Sequence, residues 1–333
     1  MITIQESEDS DKKWNDRLIE SGLGTIYQTK ENAYFSNNKK DKPFILFLNN
    51  NGKVIGQLLL NKYPRFENRV DPKSKILRNF PLIKKSMYTW TYGPIIFDVN
   101  DSEKIYFELN KFLKNKKSLV SGWQHPLSTE GILKMEENFN VKKWSTFIID
   151  LNKTKDEVYN GISKHSGRKN IERSIERGVI VEKITEKNLH EYAELYHSTR
   201  ENILEKEKDI ESIFKWWKKW KPLGYSGYIA KKNDILLSGM LYSFFNNHII
   251  EGSVARGNID KERKLYSQDL IKWKIIEWGI ENKMDYYNLA GFNPNPISKK
   301  EEGIIQYKQK WGGKKYDFWW ILSSGNKIQR NFG

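Results

Sequence analysis

Lys308 lies between a run of apolar and aromatic residues and a pair of glycines, in Ile305-Gln306-Tyr307-Lys308-Gln309-Lys310-Trp311-Gly312-Gly313. An ammonium held in such a place stabilises a developing oxyanion or grips a phosphate; the plain alternative is that it coats a helix surface. Lys169, Arg173 and Arg177 recur every fourth residue, roughly opposite Ile171 and Ile175. That stripe suits phosphate contact, or else is the solvated face of an amphipathic helix. Other chemistries find no footing. The five histidines (125, 165, 190, 197 and 248) are scattered with no H-E-x-x-H, so no metal site is expected. No G-x-x-x-x-G-K-[ST], G-x-S-x-G or G-x-G-x-x-G occurs, and there is no cysteine, which excludes disulfides, thiolate metal sites and a cysteine nucleophile. No cofactor is expected.

Elements must position these groups, and the chain has material for them. It has 333 residues, 38% hydrophobic and 14% aromatic with 12 Trp, enough for about two domains at roughly 150 residues each. Fifty-seven Lys and Arg against 42 Asp and Glu leave +15, which suits a polyanionic partner, although a lysine-rich composition produces such an excess by itself. Mean hydropathy is -0.74, no apolar run approaches a membrane span, and the acidic start MITIQESEDSDKKW has no secretion-signal core. The expectation is a soluble, cytoplasmic monomer without a membrane anchor, peripheral membrane contact remaining open.

Along the chain, Asn51-Gly52 between residues 44–48 and 54–60 signals a β-hairpin. Proline-punctuated residues 62–85 read as a surface excursion, and 102–114 as a helix. Thr154 and Glu157 spell a capping box, Gly161 and residues 163–167 should break the helix, and Gly178 should end it. Residues 189–196 and 270–280 are helical, the latter apolar on two sides. Residues 228–230, 236–245, 248–253, 286–289 and 316–322 read as strands, and a second hairpin after Tyr228 echoes the first. Alternating helices and strands predict an α/β, mixed α+β, architecture.

The segment KKWSTFIIDLNKTKDEVYNGISKHSGRKNIERSIERGVIVE resembles the FemABX family of peptidyl and aminoacyl transferases, with Arg168 to Ser174 and Gly178-Val179 standing for that family's R-x-N-I-x-x-A-x-x-x-G-V run. Tyr92-Gly93-Pro94, Glu251-Gly252-Ser253, Asn288-Leu289-Ala290-Gly291, Gly303 and residues 307–313 follow in order, so the likeness spans about residues 25 to 323. The resemblance implies two tandem GNAT-like domains, residues 1–150 and 151–333, each a twisted mixed sheet flanked by helices. It implies transfer of an acyl, specifically aminoacyl, group from a donor such as aminoacyl-tRNA to an amine on an anionic acceptor such as a cell-wall peptide precursor. It points to Lys308 near the reaction centre and to Arg200 on the acceptor's phosphates. Lys30, Tyr92 and Tyr307 become further substrate-binding candidates, Lys169, Arg173 and Arg177 donor-phosphate candidates, and Asp98 a group that orients the amine or takes its proton.

One departure matters. Where an acetyl-CoA enzyme of this fold carries a [QR]-x-x-G-x-[GA] loop, this chain has Arg263-Lys264-Leu265-Tyr266-Ser267-Gln268, without the glycines that let backbone amides cradle a pyrophosphate. The stretch from Arg200 to Gly224 is also too short for the coiled-coil arm of some relatives. Two alternatives stay open: an acyl-CoA-dependent N-acyltransferase acting on another amine, and a non-catalytic basic RNA-binding protein that uses its tryptophans for stacking.

Overall fold

Asn49 organises the first turn: its side-chain oxygen accepts from the amides of Asn51 and Lys53, and Gly52 takes a φ of +72°. Phe44–Leu48 then pairs antiparallel with Val54–Leu59, so the hairpin forms with a loop of residues 49–53. These features come from a computed structural model that describes residues 2–33, 44–64, 86–116, 118–128, 131–199 and 206–323. Most of the expected excursion, residues 65–85, lies outside the described residues.

In chain order the first elements are β1 (Thr3–Ser7), α1 (Trp14–Glu20), α2 (Lys30–Ala33), β2 (Phe44–Leu48), β3 (Val54–Leu59), β4 (Asn61–Pro64), β5 (Ser86–Trp90), β6 (Ile95–Ile96), α3 (Ser102–Asn115), β7 (Leu119–Trp123) and β8 (Phe139–Asp150). Next come α4 (Lys155–Gly161), α5 (Lys169–Glu176), β9 (Ile180–Lys183), α6 (Leu189–Ser198), α7 (Lys206–Gly224), β10 (Tyr225–Lys232), β11 (Ile235–Phe245) and β12 (His248–Arg256). The chain closes with α8 (Asn258–Glu262), α9 (Ser267–Glu281), β13 (Tyr286–Phe292), α10 (Lys299–Gln309) and β14 (Lys314–Ser323).

Two compact units divide the chain: one runs to Ser145 and takes in β14 from Asp317, and the other is Thr146–Tyr316. The sequence reading counted the last strand with the second unit. It lies in the first because Trp320, Ile321 and Leu322 pair with Trp123, Gly122 and Ser121 of β7. In the first unit β1, β2, β3 and β6 form one sheet and β4, β5, β7 and β14 neighbour one another in a second. Helix α3 buries Ile105, Tyr106, Leu109 and Leu113 at helical spacing, in a core that includes Phe47, Leu58, Val120 and Ile321.

In the second unit the strand order is β8, β13, β12, β11, β10, β9. β12 and β13 are parallel and need a helical crossover, which α9 supplies. Leu270, Ile271, Trp273, Ile275 and Ile276 of α9 are all buried, as expected of a helix apolar on two sides, each contributing about 2 kcal/mol of transfer free energy. The β12–β13 ladder covers only His248–Ile250 against Tyr286–Asn288, although β12 continues to Arg256 and β13 to Phe292. Beyond Ile250 and Asn288 the strands part, and the opening receives polar side chains.

Two local expectations need correction. The capping box forms, with Thr154 Oγ1 accepting from the Glu157 amide at 3.3 Å and Glu157 accepting from the Thr154 amide at 2.8 Å. The expected break follows as a π-helical turn over Lys164–Arg168. In α5 the buried positions are Ile171 and Ser174, whereas Ile175, expected on the same side as Ile171, is 59% exposed; the buried stripe follows i, i+3 rather than i, i+4 spacing. The tryptophan run 216–220, left without an element, belongs to α7, whose Ile213 and Trp217 are buried.

Gly312 has φ +75°, and a Cβ there would come within 2.3 Å of the Gly161 carbonyl oxygen. Gly178 has φ +73° with nothing within 4 Å. Gly312→Ala is therefore expected to cost about 3 kcal/mol, conformational strain plus overpacking, and Gly178→Ala only about 1 kcal/mol. Chemical denaturation of the two variants measures the difference; equal losses would contradict the close approach of the 161 and 312 backbones.

Candidate functional site

Lys308 is not on the surface. It projects from the last turn of α10, is 8% exposed, and directs its ammonium at three consecutive carbonyls of β13: Leu289 at 2.5 Å, Ala290 at 3.0 Å and Gly291 at 3.3 Å. An ammonium has three donors, and here each faces a carbonyl. The three carbonyls converge because the chain turns at Ala290, which takes a φ of +59°. Two further contacts hold that left-handed conformation. The Ala290 amide donates to Asn288 Oδ1 at 2.9 Å, and the Thr146 hydroxyl lies 2.7 Å from that oxygen and 2.8 Å from the Ala290 carbonyl. Burial pushes the Lys308 pKa down to about 8, with Lys272 acting in the same direction and Glu251 opposing.

A buried network surrounds this clamp. Glu251, the first residue of β12 past its ladder with β13, is ion-paired with Lys272 Nζ at 2.5 Å and accepts from the Tyr287 hydroxyl at 3.1 Å. Lys310 pairs with Asp269 at 2.6 Å, and Asn170 of α5 donates to the same carboxylate at 2.9 Å. Tyr307, read as a substrate contact, is wedged between helices: its ring centre is 4.7 Å from Lys272 Nζ and 4.3 Å from Lys310 Nζ, and its hydroxyl is buried. Burial, with Asp269 and Glu251 nearby, raises the Tyr307 pKa well above its ordinary value.

The basic stripe lies on α5 close to the start of α9. Lys169 and Arg173 are exposed and Arg177 is half-buried; among the described residues none of the three is in an ion pair. The guanidinium carbons of Arg173 and Arg177 sit 6.0 Å and 5.4 Å from the ring centre of Tyr266, and Arg177 donates to the Lys264 carbonyl. Tyr266 precedes α9 with φ +57°. The first amide of α9, that of Ser267, is already taken by the fully buried carboxylate of Asp260 at 2.9 Å, which also accepts from Arg256 at 2.5 Å. Two carboxylates of the chain itself, Asp260 and Asp269, thus lie at the positive end of this helix.

The remaining candidates fall in the first unit. Tyr92, with φ +53°, is buried in an aromatic group, its ring 6.1 Å from Tyr27, 5.5 Å from His125 and 6.3 Å from Phe318. Lys30 opens α2 three residues after Tyr27 and is half-buried, so the structure brings Lys30 and Tyr92 to neighbouring segments. Asp98 is exposed and caps the following 3-10 turn, accepting from the amide and side chain of Asn100, each at 2.9 Å. Arg200 lies outside the described residues. A surface groove of about 510 Å³ is lined by Ile2, Phe107, Leu133 and charged side chains, none of them a site candidate. Among the described residues no group of three or more His, Cys, Asp or Glu is placed to hold a metal ion, and no helix is long and apolar enough to cross a membrane.

The sequence reading did not single out Lys272, Asp269 or Asp260. Lys272 had a signal in hindsight, as a charge inside a helix apolar on two sides; Asp260 had none, because its role depends on a loop returning to the start of α9.

The fold is a mixed α/β, FemABX-like tandem GNAT fold. No family model matches the sequence, and no curated protein matches it. Among solved structures, FemX aligns with a TM-score of 0.65 at 15% identity, over 95% of this chain and 96% of that one. L-PGS from Bacillus licheniformis gives 0.54 at 9% identity over 97% and 95%. A tandem GNAT protein from the clavulanic acid biosynthesis pathway gives 0.55 at 9% identity over 98% and 100%.

Lys308→Met removes the donor shared by three buried carbonyls and is expected to cost about 3 kcal/mol of stability. The pH dependence has a definite sign. The folded-state pKa of about 8 lies below the ordinary 10.5. Between those values the unfolded chain binds more protons at this position, so the contribution of Lys308 to stability rises with pH. Denaturant titrations at pH 7.5 and pH 10 should show the stability difference, wild type minus variant, moving in favour of the wild type at the higher pH. A difference that moves the other way would contradict the depressed pKa.

Proposed function

We propose that this chain is an acyltransferase that moves an aminoacyl group from an activated ester, such as aminoacyl-tRNA, to an amino group on an anionic acceptor such as a cell-wall peptide precursor. The observation that carries this reading is the buried ammonium clamped on the 289–291 turn, where two parallel strands part, in a fold shared with FemX. The reaction asks for little covalent chemistry from the protein. The neutral amine attacks the ester carbonyl, a C–N bond forms, the C–O bond to the donor ribose breaks, and one proton passes from nitrogen to the leaving oxygen. Alignment and stabilisation of the oxyanion are the main requirements.

With its donors on carbonyls, Lys308 acts through its field and through the peptide groups it polarises, whose N–H ends belong to Ala290, Gly291 and Phe292. An amide whose carbonyl is bound by a cation is a stronger donor, by roughly 10–30% per bond. Arg173, Arg177 and Lys169 serve the phosphates of the donor, and Arg200 those of the acceptor, where a planar guanidinium suits bidentate contact. Lys30 and Tyr92 contribute to the acceptor side.

The acyl-CoA alternative is disfavoured by Asp260. A pyrophosphate arriving at the start of α9 meets a carboxylate already holding the Ser267 amide, with Asp269 in the same first turn. The RNA-binding alternative shares the basic stripe but makes no product.

Incubation of the protein with charged tRNA, acyl-CoA and candidate amines, followed by mass spectrometry for new amides, separates the three. The expected product is an aminoacyl amide formed from charged tRNA; an amide formed only from acyl-CoA, or salt-sensitive RNA binding without any amide, would contradict the proposal. Arg200→Ala should abolish transfer with the fold intact. Arg173→Gln with Arg177→Gln should weaken donor binding and lower the slope of log affinity against log salt by about 2, one for each arginine–phosphate pairing removed. An unchanged slope would remove the stripe from the donor site.

A further inference from the structure

Glu251 and Lys272 are buried, charged and without a role in the transfer step as drawn. Lys272 is fully buried in the middle of α9. Its Nζ lies 2.5 Å from Glu251, 4.7 Å from the ring centre of Tyr307 and 5.5 Å from that of Trp311. Those two rings flank Lys308 in sequence, one residue before and three residues after. Lys310 approaches the same rings at 4.3 Å and 5.6 Å and is held by Asp269. Each ring therefore touches two ammonium groups, each anchored by its own carboxylate, and α10 cannot turn on its axis without breaking those contacts.

The charges decide what this arrangement does to Lys308. The titratable groups of this cluster are Glu251 on β12, Lys272 and Asp269 on α9, Tyr287 on β13, Tyr307 on α10 and Lys310 just past it, with Arg256 occupied by Asp260; of the charged ones, Glu251 and Lys272 act on Lys308. Both phenols are raised by burial and stay neutral. Three ammoniums then stand against two carboxylates, and the surplus positive charge belongs to Lys308, which has backbone dipoles for partners instead of a carboxylate. Buried charge without a counterion is costly, so small changes in the nearest pair act strongly on it.

We infer that Glu251 and Lys272 are positioning residues for Lys308: the buried pair fixes α10 so that the ammonium meets the three carbonyls, and its charge balance sets how firmly that ammonium keeps its proton. The directions acting on Lys308 agree, with Glu251 favouring the protonated form and Lys272 opposing it. Losing Glu251's charge leaves two unbalanced cations, whereas losing Lys272's leaves the charge of Glu251 acting on Lys308 unopposed. The consequence for catalysis rests on the acyl-transfer reading. The titration itself is measured without donor or acceptor, so a failure of either is seen separately.

The test is NMR titration of lysine side chains in full-length protein carrying 13C-labelled lysine, with the Lys308 signal identified by its loss in Lys308→Arg. Glu251→Gln is expected to lower the Lys308 midpoint and Lys272→Met to raise it, each by at least about threefold in proton affinity, roughly half a pKa unit. The double variant should return it towards the wild-type value. Folded single variants with an unmoved midpoint would overturn the inference. A second measurement needs no substitution: in the wild type the Lys272 carbon signal should move as Lys308 loses its proton, and a Lys272 signal indifferent to that step would overturn the inference equally. Once a transfer assay exists, Lys272→Met should lower kcat with little change in the KM for either reactant.

Discussion

A positive charge taken out of water must be answered by something, and in the second unit the answer given to Lys308 is the backbone. Of the three ammoniums of Lys272, Lys308 and Lys310, two have carboxylates, Glu251 and Asp269. The third is left with carbonyl dipoles, and three of these are aimed at one point because Ala290 takes a left-handed turn inside a strand. That turn is possible because β12 and β13 have ceased to pair, and they cease to pair where Glu251 enters the opening. Strand divergence, backbone turn and buried cation form one arrangement; removing any member leaves the others with unpaired polar groups.

The same arrangement separates what Lys308 does from what its residue type suggests. A lysine at the mouth of a site would donate hydrogen bonds to a reactant. This one donates to the chain, and in the proposed acyl-transfer reading its influence on a reactant passes through the field it creates and the peptide groups it polarises. Asp260 completes the picture at the start of α9. That helix start is occupied by a side chain of the chain itself, with Arg173 and Arg177 stacked on Tyr266 close by.

Much of this was legible in the sequence where the signal is local. The capping box at Thr154 and Glu157, the break at residues 163–167, the Asn51-Gly52 hairpin and the two-sided apolar helix at 270–280 each depend on residues a few positions apart, and each forms. The order of motifs from Tyr92 to Gly313 led to the tandem GNAT-like architecture. Non-local features were not legible. The i, i+4 spacing puts Ile175 on the side of Ile171, but which neighbour of Ile171 is buried depends on packing partners distant in sequence, and here it is Ser174 at i+3. β14 was counted with the second unit because sequence proximity says nothing about its pairing with β7. Asp98 reads as a free carboxylate until its contacts with Asn100 are seen. The carbonyl partners of Lys308 lie 17 to 19 residues upstream, in the Asn288-Leu289-Ala290-Gly291 motif, but nothing in that motif marks its backbone as the partner of a lysine.

The most direct measurement of the central claim is a crystal structure of the protein with a stable amide analogue of an aminoacylated adenosine. The account predicts the analogue's acyl carbonyl beside the 289–291 turn, with Lys308 still on its three backbone carbonyls. An analogue bound away from that turn, or a Lys308 ammonium swung off the backbone to contact the ligand itself, would contradict it.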